Sequence, residues 1–169
     1  MSDLSQKFCF QPWDFMEIQD DLSIFNCCPN WIDYYSYGKL DSSLNTAVIW
    51  NGEKAQEFRK SILDGSFKFC NRTLCPYIQN NSLPNRSDIL EGKYGTKWVD
   101  VLNQQLTTSE NPTRINLSYD KSCNLKCPSC RDKIIFINET THPEEYKKKL
   151  NVTEKIIEYL YQQKSPTNV

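Results

Sequence analysis

Three thiols crowd into one short stretch, Ser122-Cys123-Asn124-Leu125-Lys126-Cys127-Pro128-Ser129-Cys130-Arg131, at a C-x3-C-x2-C spacing. A segment this short buries no core of its own, yet it sets three soft ligands around one point. Soft thiolates select zinc, copper(I) or iron–sulfur clusters. A structural zinc site takes four closed ligands, usually as two separated pairs. An iron–sulfur cube held by three protein thiolates keeps one iron open to a ligand that is not protein. Five further cysteines, Cys9, Cys27, Cys28, Cys70 and Cys75, fall in the first half of the chain. Buried free thiols, or a zinc knuckle, are the plain structural alternatives.

Composition narrows the chemistry. The 169 residues are 38% hydrophobic and 24% charged, with a net charge of -1 and a mean hydropathy of -0.64. No apolar run approaches the roughly 18 residues of a membrane span. No basic stripe accompanies the sequence pI of about 5.9, which argues against nucleic acid as a partner. The opening Met1-Ser2-Asp3-Leu4-Ser5 lacks an apolar signal region, so a cytoplasmic location is expected. In a reducing compartment eight cysteines read as metal or redox ligands rather than as a disulfide framework.

The elements that must position these thiols are legible in outline. Phe15, Glu17 and Gln19 alternate against Met16 and Ile18, and Asp20-Asp21 signals a turn, so a hairpin with a second strand near 23–25 is expected. It would carry Cys9 back toward Cys27 and Cys28. Leu44, Ala47, Val48 and Trp50 suggest a short helix. Asn51 looks like the cap of a second, with Ala55, Phe58, Ile62 and Leu63 inward and Asp64-Gly65 as its stop. Residues 77–95 read as a polar connector. Thr96 can cap a helix bearing Trp98, Val101, Leu102 and Leu106. Ile115, Leu117 and Tyr119 alternate as a strand leading into the cysteine loop, and Ile134-Ile135-Phe136-Ile137 forms an apolar run able to shield it. A last helix opens at His142-Pro143, with Tyr146, Leu150, Ile156, Ile157, Leu160 and Tyr161 inward and Lys147-Lys148-Lys149 solvated. His142, at an exposed helix start, is not read as a catalytic base, and Arg131 reads as a surface charge.

The cysteine spacing, the Asn124-Leu125-Lys126-Cys127-Pro128-Ser129-Cys130 wording and the strand before it resemble the cluster loop of radical S-adenosylmethionine enzymes. The resemblance implies that Cys123, Cys127 and Cys130 hold a [4Fe–4S] cluster. S-adenosylmethionine would chelate its open iron and be cleaved reductively to a 5′-deoxyadenosyl radical, with the electron drawn from a reductant such as flavodoxin or ferredoxin. The layout from Cys9-Phe10-Gln11-Pro12-Trp13 through Ile49-Trp50-Asn51-Gly52 to Cys70-x4-Cys75-Pro76 resembles a SPASM-type or twitch-type auxiliary domain. That likeness implies a second [4Fe–4S] cluster on Cys9, Cys27, Cys70 and Cys75. Cys28 rivals Cys27; the family's turn glycine falls at Leu22, and counting from it favours Cys27. Zinc on the same cysteines stays open, since C-x4-C is acceptable zinc spacing.

The expected fold is therefore α+β: a small hairpin-plus-helices cysteine-rich auxiliary domain at 8–80, a connector with one helix at 81–112, and the first strand–loop–helix unit of an incomplete barrel at 113–169. The strand of that unit has no expected partner, and the family's glycine-rich second strand end is missing, so the chain reads as the front part of a longer enzyme. The implied activity is radical modification of a peptide or other small-molecule substrate, with no catalytic side chain beyond the cluster ligands. A zinc-binding interaction module built on Cys70, Cys75, Cys127 and Cys130, without catalysis, is the alternative from a different class. A degenerate remnant that keeps the cysteines is a third.

Overall fold

A computed structural model describes residues 3–40, 46–103, 106–107, 111–118, 120, 122–123, 125, 127 and 133–161. It is a mixed α+β structure with a four-stranded sheet and several helices. Strand β1 (Phe15–Gln19) follows the single-turn helix α1 (Gln11–Asp14) and pairs antiparallel with β2 (Ser23–Phe25), as the alternation and the aspartate turn predict. The turn closes through Leu22 N–H donating to the Gln19 carbonyl at 2.8 Å. Asp21 holds the exit, accepting from Ser23 N at 2.9 Å and pairing with Lys39 Nζ at 2.8 Å. The Lys39 bond draws the Asp21 carboxyl down to about 2.

Leu22 sits at φ +67, where glycine is favoured. A left-handed non-glycine residue costs about 1–2 kcal/mol. The buried Leu22 side chain offsets it, because full burial of a leucine contributes about 1.5–3 kcal/mol.

The strand order is β3-β2-β1-β4, with β3 at Gly38–Lys39 and β4 at Arg114–Ser118. The sequence leaves the strand ahead of the cysteine loop without a partner. Instead β4 pairs in parallel with β1 over five residues, from Phe15 opposite Arg114 to Gln19 opposite Ser118. Parallel neighbours need a long crossover, and here it carries the helices between them: α2 (Thr46–Trp50), α3 (Glu53–Leu63), α4 (Pro76–Gln79), α5 (Arg86–Leu90) and α6 (Thr96–Leu102).

Helix α3 buries Ala55, Phe58, Ile62 and Leu63 as its spacing predicts, and stops at Asp64-Gly65. Its cap is Gly52 rather than Asn51; the Asn51 side chain is drawn away to accept a hydrogen bond from Arg59 Nη1 at 2.9 Å. Gly95, not Thr96, caps α6. The stretch expected to be a plain connector folds α4 and α5, because Pro76 and Arg86 begin turns whose Ile78 and Ile89 reach the core.

The last helix, α7 (Pro143–Tyr161), buries Val152, Ile156 and Tyr159. Leu150, Ile157 and Tyr161, expected inward, are exposed. Tyr159 donates to Asn111 Oδ1 at 3.0 Å, which rotates the helix toward the 3–4 stripe it buries. Lys149 is not solvated: it reaches Asp120 Oδ1 at 2.9 Å and Glu145 Oε1 at 3.3 Å. Among the described residues no helix is long and apolar enough to cross a membrane.

Candidate metal centre

Three segments far apart in sequence deliver four cysteines to one place. Cys9 arrives on the N-terminal arm, which is tied down by Phe8 N–H donating to Pro84 O at 3.0 Å and Arg86 N–H donating to Gln6 O at 2.9 Å. Cys27 leaves the end of β2. Cys70 and Cys75 flank a loop that Asn71 folds: its Oδ1 accepts from Thr73 N and Leu74 N, both at 3.0 Å, while Nδ2 donates to Asp33 Oδ1 at 2.7 Å. Asn71 N–H also donates to Trp31 O at 2.7 Å, pinning the loop to the turn after Cys28.

Cys9, Cys27, Cys70 and Cys75 together line one cavity of about 20 Å³, walled otherwise mainly by Pro12, Trp31, Phe58 and Ile78. On this measure one water needs roughly 10–15 Å³, so the space excludes an organic substrate. Cys28 is not on its wall; it caps the 3-10 turn Pro29–Ile32. Among the described residues every cysteine is a free thiol.

Burial raises the Cys9 thiol from 9.0 to about 12. Burial first, then the neighbouring Cys9, Cys70 and Cys75, raises Cys27; burial, Cys9 and Cys75 raise Cys70. The thiols thus feel one another across the cavity. Deprotonating them together in an apolar setting is costly unless a cation takes the protons' place. The donor set fits a thiophilic metal group.

Among the described residues no group of three or more His, Cys, Asp or Glu side chains closes on a point to hold a single metal ion. Tetrahedral zinc with Zn–S near 2.3 Å draws its sulfurs to about 3.8 Å from each other. A cuboidal cluster interposes its own iron and sulfur atoms and takes its cysteines from farther apart.

The other predicted site is positioned less completely. Cys123 is half-buried and forms a backbone bridge with Ile135: Cys123 N–H donates to Ile135 O at 2.8 Å and Ile135 N–H to Cys123 O at 3.2 Å. Ser122 Oγ accepts from Ile137 N–H at 3.1 Å. The loop is anchored to α7 through Asp120 and Lys149. Cys127 is exposed, and it is not on the cavity wall with Cys70 and Cys75. Cys130 and Arg131 lie outside the described residues. The apolar run expected to cover this loop leaves Ile134 and Phe136 exposed, with Phe136 at 64%. His142 is exposed at the start of α7.

Sequence reasoning missed three features beside the cavity. Cys9 also borders a more open groove of about 270 Å³ that includes Tyr77, Tyr94, Asp14 and Arg114, with Arg114 paired to Asp14 at 3.2 Å. Arg59 is completely buried, donating to Pro12 O, Asn51 Oδ1 and Leu106 O at 2.9 Å each. Its guanidinium lies 4.8 Å from the Trp50 ring centroid and 5.9 Å from that of Trp13, and burial draws its pKa down to about 10. Finally, among the described residues, Arg59 Nη2, the Tyr37 hydroxyl and both ends of the Asn26 amide are buried without a hydrogen-bond partner. Each such atom costs about 1–3 kcal/mol. No family model matches the sequence, and no curated protein or solved structure matches it either.

Proposed function

We propose that this chain is an iron–sulfur protein in which Cys9, Cys27, Cys70 and Cys75 hold a [4Fe–4S] cluster. The observation that carries the reading is the shared cavity: four cysteines from three separate segments meet around a buried space with little else polar on its wall. Four thiolates close every corner of a cube, so this centre would serve as structural support, electron carrier or substrate support. Pro12, Phe58 and Ile78 keep water from it, and the Asn71 turn holds Cys70 and Cys75 at their spacing.

The second part of the proposal rests on the resemblance to radical S-adenosylmethionine enzymes. Cys123, Cys127 and Cys130 would hold a cluster with one open iron, at which S-adenosylmethionine is bound and cleaved by an electron from a flavodoxin-like or ferredoxin-like reductant. The chemistry then done is radical modification of a peptide or small molecule. The backbone bridge from Cys123 to Ile135 and the Asp120–Lys149 pair support the loop against α7. The groove beside Cys9 lies next to the closed centre and is wide enough for a side chain of such a substrate.

Anaerobic reconstitution with ferrous iron and sulfide tests both parts. Two cubes would give about eight iron per chain and a brown protein. Cys27→Ala is expected to remove about half of the iron, Cys28→Ala to leave it in place, and Cys127→Ala to remove the other half. A colourless chain that takes up zinc instead would sink the proposal in favour of a zinc module.

A further inference from the structure

Away from the cysteine cavity, the β1–β2 turn, β3 and α7 flank a hollow of about 350 Å³. Its floor is apolar, since Leu22, Leu40 and Val152 are all buried. Its rim is cationic, with Lys39 on β3 and Lys148 and Lys155 on α7. Asn151 adds an amide, and Asp21 is the single acid among the described lining residues. The α7 contribution follows from helical spacing: positions 148, 151, 152 and 155 stand three and four apart and share one face.

Charge over the whole chain is balanced, at 20 basic against 21 acidic residues, so three lysines to one aspartate in one hollow is a local excess. Lys39 Nζ pairs with Asp21 Oδ2 at 2.8 Å, and that carboxylate also accepts from Ser23 Oγ at 2.8 Å, which keeps Lys39 at the rim. Both partners of the pair are exposed, so it is held weakly and an incoming anion can share Lys39. Lys149, the neighbour of Lys148, is engaged elsewhere by Asp120 and Glu145. Lys148 has no ion-pair partner among the described residues. Like charges gathered over an apolar floor repel, and an anion among them turns that repulsion into attraction.

We propose that this hollow binds a small phosphorylated molecule, its phosphate held by Lys148, Lys155 and Lys39 and its apolar body resting on Leu22, Leu40 and Val152. The volume falls at the lower end of the roughly 300–1,000 Å³ of small-molecule sites, and an apolar lining with a few placed polar groups is their common make-up. The kind of cation selects the kind of anion. Lysines are separate point charges that suit the spread charge of a phosphate dianion. A planar carboxylate is best met by the fork of an arginine, and no arginine is among the described lining residues. The site uses no cysteine, so it stands or falls independently of the cluster reading.

Phenyl phosphate is the probe, because it joins a phosphate to an apolar ring, and its binding to the full chain is read by titration calorimetry at constant ionic strength. Binding at a single site is expected at pH 7 and weaker binding at pH 5, since a phosphate ester loses its second negative charge below about 6. Lys148→Gln is expected to weaken binding about threefold to tenfold, the loss of one charge-assisted contact, and Lys155→Gln to act in the same direction. Lys147→Gln is the control: Lys147 is exposed on α7 and lies off the hollow, so the same charge is removed and binding is expected to hold. Benzoate is expected to bind about tenfold more weakly than phenyl phosphate.

No heat of binding for phenyl phosphate overturns the inference. A loss in Lys147→Gln equal to that in Lys148→Gln also overturns it, because the attraction would then be the general charge of α7. Benzoate binding as tightly as phenyl phosphate overturns the choice of phosphate. Hexaglutamate binding in preference, with little change at pH 5, overturns it as well and marks the face as a dock for an acidic protein. Circular dichroism checks that each variant keeps the wild-type fold, and Lys155→Gln read alone carries the test should Lys148→Gln depart from it.

Discussion

Raising the pH on the metal-free protein is expected to loosen it through the cysteine cavity. Burial lifts Cys9 from 9.0 to about 12, and burial with the neighbouring cysteines lifts Cys27 and Cys70 in the same direction. A thiol that holds its proton more tightly in the native state contributes full stability below its unfolded value, and loses it as pH rises toward the native one. Between pH 8 and pH 10 one such thiol costs about 1.4 kcal/mol, because the unfolded chain sheds a proton that the native chain keeps. Three would remove up to about 4 kcal/mol. Cys9 and Cys70 are only half-buried, so screening by solvent puts the expected loss nearer 2–3 kcal/mol. That is a large share of a typical 5–15 kcal/mol stability.

The assay is urea unfolding followed by tryptophan fluorescence, with chelator and reductant present, at pH 8, 9 and 10. The window stops there because Tyr35, Tyr37 and Tyr159, also lifted by burial, begin to add a loss of the same sign above it. Cys27→Ala should show a shallower decline and Cys28→Ala the full one. The metal-loaded chain, whose thiols have already given up their protons, should show little decline over this range. A wild-type stability that stays flat from pH 8 to pH 10, or a Cys27→Ala slope equal to wild type, would refute the convergence of these thiols in a dry cavity.

Two further outcomes test the scaffold. Gly65 is at φ +78, and a Cβ there would stand 2.8 Å from Ser5 Cα; Gly65→Ala is expected to cost about 2–3 kcal/mol by thermal unfolding. Arg59→Met gives up hydrogen bonds to Pro12 O, Asn51 Oδ1 and Leu106 O. Relief of the buried charge offsets part of the loss, leaving about 2–5 kcal/mol of destabilisation; a variant as stable as wild type would show the charge to be no net support.

Much of the local structure is written in adjacent residues. The β1–β2 hairpin follows from two short strand-like runs about the Asp20-Asp21 turn, although β1 buries Met16, Glu17 and Ile18 in succession, and α3 follows from an apolar stripe ended by Asp64-Gly65, because both patterns act over a few residues. The resemblance to an auxiliary-cluster domain implied Cys9, Cys27, Cys70 and Cys75, with Cys28 as a rival to Cys27; the folded chain sets the first four around one cavity.

What tertiary structure decided are the relations between distant segments. The pairing of β1 with β4 joins residues about a hundred positions apart, and backbone hydrogen bonds carry no sequence code that could announce it. The buried face of α7 turned toward Val152 and Tyr159 because Asn111 and the α2 surface were waiting for it, not because of its own periodicity. Nothing adjacent to Arg59 or Tyr37 in the chain marks either as buried. Only the packing of Trp13, Trp50 and Phe58 around them reveals a buried charge and a buried hydroxyl, since desolvation is a property of the assembled surroundings and not of the residue.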